Sequence, residues 1–454
     1  MTDLKVKSDL MEKIVSLCKR RGFIYPGSEI YGGIQGFYDY GPLGVELKNN
    51  IKKEWWKSMV YDREDVVGID TAIIMNPVVW EKSGHLESFT DPLVECKACH
   101  KRFRKDEFEE FFKHVPKGVG AVAPKFGAEM FFCSDGKKHK FEDLTEPRVF
   151  NLLTEVYLGV TEPKEKAYLR GEVTQGVFVN FKNILNSTSV KIPFGVAQIG
   201  KAFRNEITPG KFTYRTREFE QMELEFFIKP EDKEAKKWFE YWKKQRLDWY
   251  LNLGMKKENL RFREHGPDEL AHYCRVAEDV EYKAPFGWSE FEGIHDRGDW
   301  DLSRHNLKYQ DEEEKKEYTP WVIETSGGVD RTALFFLINA FHEEKDRVVL
   351  KLAPKLAPYK VAVFPLLANK PELVKKARLV FDKLRPVFRT AWDDRGNIGK
   401  RYYAQDEIGT PWCVTIDFQT LEDKTVTIRD RDTTKQKRVK VDKLIKWFQN
   451  GLSK

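Results

Sequence analysis

Two short segments separated by a loop hold most of the residue types that suit a charged ligand. They are Phe203-Arg204-Asn205-Glu206 and Arg215-Thr216-Arg217-Glu218-Phe219-Glu220-Gln221-Met222-Glu223. In a strand, successive side chains point to opposite faces, so the first segment (Ile192 to Ile207) places Gln198, Arg204 and Glu206 together. The second (Glu218 to Ile228) places Phe219, Gln221 and Glu223 on one face and Met222, Leu224, Phe226 and Ile228 on the other. The apolar set requires a core, so the charged set is expected to line an open surface. Two arginines, an exposed aromatic ring and several acids suit a triphosphate, an adenine ring and a cationic group. That describes a nucleotide site built on an antiparallel hairpin rather than on a phosphate loop. The competing reading of Arg204 and Glu206 is a surface salt bridge; Phe219 and a second arginine on the same face count against it.

The elements that must position this hairpin lie on both sides of it. Residues 8 to 22 read as a helix, and seven glycines follow in GFIYPGSEIYGGIQGFYDYGPLG, read as a run of tight turns. Leu47, Ile51, Trp55 and Met59 recur at near-helical spacing and lead into an apolar strand, VVGIDTAIIMNP, that ends at Pro77. Strands dominate from 168 to 228, and KPEDKEAKKWFEYWKKQRLDWYLNLG is an amphipathic helix with core-facing Trp and Tyr. WVIETSGGVDRTALFFLINAF reads as strand, Gly turn and buried helix. The linker KLAPKLAPYK (351–360), with two Ala-Pro pairs, marks a domain boundary. Beyond it, strands alternate with helices at 371–385, 398–408 and 440–450, a compact α/β domain.

Composition sets wider bounds. The 454 residues allow two or three domains with a large core. Lys plus Arg is 78 against 72 for Asp plus Glu, a net charge of +6 that permits RNA binding without requiring it. The first residues lack a signal-peptide core and no apolar run reaches membrane-spanning length, so the expected location is the cytosol, with no membrane partner. Cys18, Cys96, Cys99, Cys133, Cys274 and Cys413 are too unevenly spaced for a disulfide framework.

With hairpin, strand-plus-helix and C-terminal domain in order, the chain resembles a class II aminoacyl-tRNA synthetase and, within that class, the dimeric glycyl-tRNA synthetases. The helix and strand ending at Pro77 match the family's first motif, a dimer element; Phe203–Glu206 with Arg217–Phe219 match the second; Gly327-Gly328-Val329-Asp330-Arg331 matches the third. The resemblance implies an α+β catalytic domain on an antiparallel sheet, with an inserted lobe and a C-terminal α/β anticodon-binding domain. Its parts would be residues 1–90 with the dimer motif, a Cys-containing insertion at 91–145, a catalytic core at 146–355 and the anticodon-binding domain at 359–454. The implied reaction activates glycine with ATP and Mg²⁺ and transfers it to tRNA(Gly) in a homodimer.

The resemblance also implies roles for residues. Arg204 and Arg331 are the catalytic candidates. Arg204 would hold the α-phosphate, Arg215 and Arg331 the γ-phosphate end, Phe219 would lie flat on adenine, and Glu206 would accept from its amine. Arginine suits this task because its planar guanidinium donates to two phosphate oxygens at once. Glu290 and Glu292, read on one strand face, are either acids near the metal or ribose or ordinary surface acids. Glycine has no side chain to grip, so Glu172, Glu223 and Glu324, sharing a face with Ser326, would surround its ammonium, with Arg297 on its carboxylate. One stretch departs from the family's Arg-Pro-Glu-Thr-Ala-Gln-Gly: here it is Arg170-Gly171-Glu172-Val173-Thr174-Gln175-Gly176. The Glu, Gln and Gly stay in register while the neighbours that set loop geometry change.

Cys96-Lys97-Ala98-Cys99 is half of a zinc knuckle, and Cys133 with His139 or His100 would complete a structural Cys₃His site; the alternative is a degenerate knuckle without metal. Arg429, Arg431, Lys435, Lys437 and Arg438 are expected to meet tRNA phosphates, or else to form a solubilising charge run. Two other functions stay open: a class II synthetase for serine, proline or threonine, and a synthetase-like protein that binds nucleic acid without catalysis.

Overall fold

The computed structural model describes residues 2–100, 102–104, 130–132, 138–140 and 143–453. Helix α1 (Thr2–Arg21) leads through a hairpin, Ile24–Pro26 against Tyr38–Tyr40, into α2 (Pro42–Trp56). Proline at the first turn of α2 costs no hydrogen bond and pre-sets φ for the helix. The expected turns are present at Gly22, Gly32, Gly33 and Gly36, all at positive φ. Gly44 serves differently: a Cβ there would stand 1.8 Å from the Phe23 carbonyl oxygen, so its absence lets α2 pack against the chain before it. Leu47, Ile51, Trp55 and Met59 are buried as their spacing predicts.

The central sheet has seven strands: β1 (Val66–Gly68), β2 (Phe194–Phe203), β3 (Glu218–Ile228), β4 (Leu260–Glu264), β5 (Val276–Ala284), β6 (Gly287–Gly298) and β7 (Trp321–Gly328). Their order is β4-β5-β6-β7-β3-β2-β1, antiparallel throughout except for β1 against β2. The strand expected to run unbroken to Pro77 is two pieces. Val66–Gly68 joins the central sheet, and Ile74–Met75 pairs with Glu165–Leu169 in a separate three-stranded sheet completed by Thr154–Leu158.

Met222, Leu224, Phe226 and Ile228 face the main core together with α2, α3 (Asp232–Asn252) and α4 (Val329–Ala340). Each such side chain removed from water contributes roughly 1.5–3 kcal/mol. The other face of β3 is open only along its first half. From Glu223 onward it is roofed by the short helices Thr174–Val179 and Phe181–Ser187, whose Phe178 and Phe181 pack on Phe194 and Phe227. The expected open surface is therefore a cleft that deepens toward Glu223.

The C-terminal domain is a five-stranded mixed sheet in the order β9-β8-β10-β11-β12. Its strands are β8 (Val361–Pro365), β9 (Thr390–Trp392), β10 (Trp412–Ile416), β11 (Thr425–Asp430) and β12 (Gln436–Lys440). Helices α5 (Pro371–Leu384) and α7 (Leu444–Leu452) make a second core with Val363, Val414 and Ile428, and α6 (Ile398–Glu407) packs Ile398 and Tyr402 against Ala362, Phe364 and Cys413.

The arginines expected to meet phosphates have other work. Arg429 is buried in a two-pronged pair with Asp406 (2.8 and 2.9 Å), Arg431 is buried against Asp432 and the Gly409 carbonyl, and Arg438 is tied to Asp417 (2.7 and 3.0 Å). Only Lys435 and Lys437 of that set stand in solvent. Two acids at the end of α6, Asp406 and Glu407, draw in Arg429 and arginines from outside the domain. Asp406 also takes Arg347 from the catalytic side (2.5 Å), and Glu407 takes Arg20 and Arg21 from α1. Adjacent acids at a helix C-terminus oppose the helix dipole, so their charges must be met from outside. Removing one partner of a buried ion pair strands the other, which costs about 3–5 kcal/mol. Asp406→Ala should therefore lower the urea midpoint markedly; an unchanged midpoint would show that the pair carries no net stability.

At the foot of the inserted region, Thr90–Glu95 pairs with Arg102–Arg104 and with Arg148–Asn151, so its two ends meet. Cys96 is buried there and Cys99 partly exposed, while His100 contacts Glu95 (3.4 Å). The expected metal ligand Cys133 lies outside the described residues, and of His139 only the backbone, in the strand Lys138–Lys140, is described.

Candidate active site

The cleft over β3 and β7 has a volume of about 270 Å³ and draws its walls from three strands (β3, β6 and β7), the 204–216 loop, Glu172, Tyr273 and the start of α4. Its depth comes from cross-strand register. Gln198, Glu223, Ser326 and Gly293 lie in one row across β2, β3, β7 and β6, and Val196, Glu225, Glu324 and His295 in the next row but one. Same-face neighbours in adjacent strands stand close enough to interact directly. Sequence spacing of four within β3, about 13 Å at strand rise, separates Phe219 from Glu223 along the floor.

At the deep end, Glu223 accepts from Gln221 Nε2 (2.7 Å), Ser326 Oγ (2.5 Å) and Thr174 Oγ1 (2.5 Å). Glu324 faces His295 Nδ1 (2.5 Å) and accepts from Arg297 Nη1 (3.0 Å) and Thr174 Oγ1 (3.0 Å). Glu172 stands 3.2 Å from His85 Nε2. All three carboxylates are more than nine-tenths buried, yet their charges differ. Burial raises Glu172, but His85, Arg297 and Arg204 outweigh it and hold the carboxyl below its ordinary range. Burial likewise raises Glu324, and Arg297 and His295 bring it down to about 2. Glu223 is pushed up to about 7 by burial and by the charges of Glu324 and Glu172. An acidic pit with one carboxyl near neutrality accepts a small cation.

Arg297 stands behind this pit rather than in its wall. It is buried, donates to Asp301 (2.8 Å) and Glu324, and stacks on Tyr273 at 3.9 Å, while its Nη2 has no hydrogen-bond partner. That leaves one buried guanidinium donor unmet by the protein.

The other end is cationic. Arg204 lies between two rings, 5.2 Å from Phe89 and 5.3 Å from Phe219, with Nε donating to the Gly171 carbonyl (3.0 Å). Gly171 stands where the resemblance expects proline, and a Cβ there would fall 2.7 Å from the Phe89 ring. Gly171 and Phe89 are thus a matched pair that frames the arginine. Arg215 pairs with Glu206 (3.3 Å), and Arg331 pairs with Glu290 (2.7 Å) over the Tyr214 ring. Arg331 is placed by its neighbour Asp330, which binds Lys48 of α2 (2.7 Å) and the Glu220 amide (2.6 Å).

Glu290 and Glu292 do not share a face. A bulge in β6 opposite Val280 and Glu281 adds one residue, Phe291, and reverses the alternation after it. Glu290 lines the cleft, whereas Glu292 is fully buried on the core side, held by Arg246 (2.6 Å) and Tyr250 (2.5 Å). The acid that accompanies Glu290 is Asp279 on β5. Burial and the Glu290 charge raise its carboxyl above the usual range, and His265 contacts it at 2.9 Å. The sequence reading passed over Asp279, His295 and Glu225, which alternation with the acids of β6 and β7 could have flagged. Thr174 stood out only as one of the departures from the family's stretch, with no role attached.

Two family models match the chain: the tRNA synthetase class II core domain (G, H, P, S and T) over residues 157–339, and the anticodon binding domain over 360–451. Among curated relatives, the glycine–tRNA ligase of Thermobifida fusca is 48% identical, covering 99% of this chain and 100% of its own. Those of Streptomyces coelicolor and Clostridium acetobutylicum are each 50% identical; they cover 96% and 97% of this chain, and 97% and 98% of their own. This chain belongs to the glycine–tRNA ligase family. The antiparallel core and the α/β C-terminal domain are those of the family, as the three motifs in order led one to expect. Family membership also accounts for a sheet that carries both a deep acidic pit and an arginine-lined rim.

Proposed function

We propose that this chain activates glycine with ATP and transfers the glycyl group to tRNA(Gly). The observation that carries the reading is a single cleft with Glu172, Glu223 and Glu324 at its closed end and Arg204, Arg215 and Arg331 at its open end. The acids receive the glycine ammonium, and Arg297, behind them, serves its carboxylate. Selectivity follows from the roof over the pit, since every other amino acid is larger and no smaller one exists to be rejected. Arg204 holds the α-phosphate, where negative charge shifts as the carboxylate attacks and pyrophosphate leaves. Arg215 and Arg331 take the far phosphates, Phe219 offers its ring to adenine, and Glu206 accepts from the exocyclic amine.

Asp279 and Glu290, like charges side by side, fit the hard-cation preference of Mg²⁺, which would neutralise phosphate charge there. Residues 359–454 form the anticodon-binding part, and the exposed Lys435 and Lys437 meet phosphates there. We place the reaction in the cytosol, where tRNA is charged; no helix among the described residues is long and apolar enough to cross a membrane.

ATP–pyrophosphate exchange measured across the twenty amino acids decides among the readings. Exchange with glycine alone is expected. Exchange with serine and not glycine would make the chain a synthetase for another small amino acid, and no exchange with any would favour a nucleic-acid-binding module.

We also propose a homodimer. Ile74, Val78, Tyr157, Leu158 and Val160 are all exposed on and beside the three-stranded sheet that holds the end of the first motif, an apolar set that a partner would cover. Replacing Tyr157 and Val160 together with glutamate should halve the mass seen by light scattering. A doubly substituted protein that keeps the parent mass would place the interface elsewhere.

A further inference from the structure

Thr174 has no counterpart in the stretch that the resemblance predicts, which carries alanine at this position. Its side chain is fully buried between two acids on different strands, with Oγ1 2.5 Å from Glu223 Oε2 on β3 and 3.0 Å from Glu324 Oε1 on β7. A hydroxyl has one proton to donate and lone pairs to accept with. It donates to one carboxylate, so the second contact is favourable only if that carboxyl carries a proton and donates back.

The surroundings say which carboxyl that is. From β6, His295 and Arg297 both contact Glu324, and Asp301 in turn holds Arg297. From the 170–176 segment, Glu172 faces the pit as an anion with His85 beside it, and Gln175 reaches Glu172 and Asp301. Arg204 stands on the far side of Glu172, and Tyr273 covers Arg297. On β3, Glu223 is met only by neutral groups among the described residues: Gln221, Ser326 and Thr174. Behind it, Glu225 is fully buried with neither carboxylate oxygen hydrogen-bonded, and the carboxylates of Glu223, Glu225 and Glu324 lie within 4.8 Å of one another. Three such groups cannot all ionise in a buried site. The cations in contact, His295 and Arg297, are on Glu324, while buried Arg170 reaches Glu223 only through space. Burial without a donor keeps Glu225 protonated, and the Thr174 bridge to Glu324 assigns a further proton to Glu223.

We propose that Thr174 is a positioning residue that couples glycine binding to proton release. In the unliganded pocket Glu223 is protonated and donates to the Thr174 oxygen, which donates to Glu324. When the glycine ammonium enters, Glu223 gives up its proton to solvent, the ammonium supplies the compensating charge, and the Thr174 hydroxyl turns to donate to the new carboxylate. No covalent bond changes; one proton leaves for each glycine bound. The proposal rests on glycine being the substrate.

Calorimetric titration of glycine into the full-length protein, in two buffers of different ionisation enthalpy, reads that proton directly. About one proton should be released at pH 6 and almost none at pH 8.5, since Glu223 is already ionised there. In exchange assays at saturating ATP, the glycine KM should fall as pH rises to about 7 and then level off. Thr174→Ala should raise the glycine KM on the order of tenfold, the worth of one hydrogen bond to a charged group, with the KM for ATP unchanged. It should also move the break in the pH profile upward, because ionised Glu223 loses a donor. Thr174→Ser, which keeps the hydroxyl, should restore both.

An alanine variant with the parent's glycine KM and pH break overturns the role of Thr174, as does a serine variant that behaves like alanine. A parent that binds glycine with no proton release at pH 6 overturns the coupling. A parent with neither glycine binding nor glycine-dependent exchange instead sinks the substrate reading, and the two failures are separable.

Discussion

Arg204→Ala should lower the rate of glycine-dependent ATP–pyrophosphate exchange by roughly a hundredfold or more, the usual consequence of deleting a donor aimed at developing charge. The geometry gives reasons to expect the loss in rate rather than in folding. The guanidinium is only half-buried, and its one hydrogen bond among the described residues runs from Nε to the Gly171 carbonyl. The two terminal nitrogens are thus available to a ligand, while Phe89 and Phe219 fix the plane in which they lie. Arg204→Lys keeps the charge but loses the planar pair of donors, so it should recover only part of the rate. The melting temperature should stay close to the parent's in both variants. An alanine variant exchanging at near-parent rates would remove Arg204 from the chemistry altogether.

Glu223→Gln should act in two opposite directions. Glycine activation should fall by a hundredfold or so, because the ammonium loses a buried anionic partner whose absence cannot be made good by solvent. The unliganded protein, however, should become more stable at neutral pH. The Glu223 carboxyl is raised to about 7 from its ordinary 4.5. A carboxyl raised on folding imposes no cost below its unfolded value, an increasing one as pH climbs toward its folded value, and a constant one above that. The glutamine variant should therefore match the parent near pH 4.5, gain stability through pH 7, and hold a gain of up to about 3 kcal/mol beyond it. Urea midpoints at pH 4.5 and 7.5 check this. A variant destabilised equally at both would mean that the hydrogen bonds to Glu223 outweigh its buried charge.

The parts of this design legible in sequence are those that follow from alternation and order. Met222, Leu224, Phe226 and Ile228 announce their core face through a strict two-residue period, and that fixes the opposite face for Phe219 and Glu223. The linker at 351–360 is legible because a change in strand order follows it. The losses each have a local cause. A single bulge residue, Phe291, moved Glu292 from the cleft to the core, and periodicity cannot see an insertion of one. Arg429 and Arg431 look like a nucleic-acid patch because their partners, Asp406 and Gly409, are some twenty residues away in sequence. Thr174 shows as a departure from the family's stretch, but its contacts are silent for the same reason: its two acids come from strands that follow it by 49 and 150 residues.

The end of α6 has a consequence beyond stability. Asp406 and Glu407 gather arginines from three places: Arg429 within the C-terminal domain, Arg347 from the catalytic side and Arg20 with Arg21 from the first helix. The two domains are therefore matched parts rather than interchangeable modules. A C-terminal domain transplanted from a protein lacking those two acids would leave Arg20 and Arg21 without their acid and Arg347 with Glu344 alone. The graft would be weakened at the seam, however well each half folds. Recombination between distant members of the family would have to carry α1, the 347 segment and α6 together.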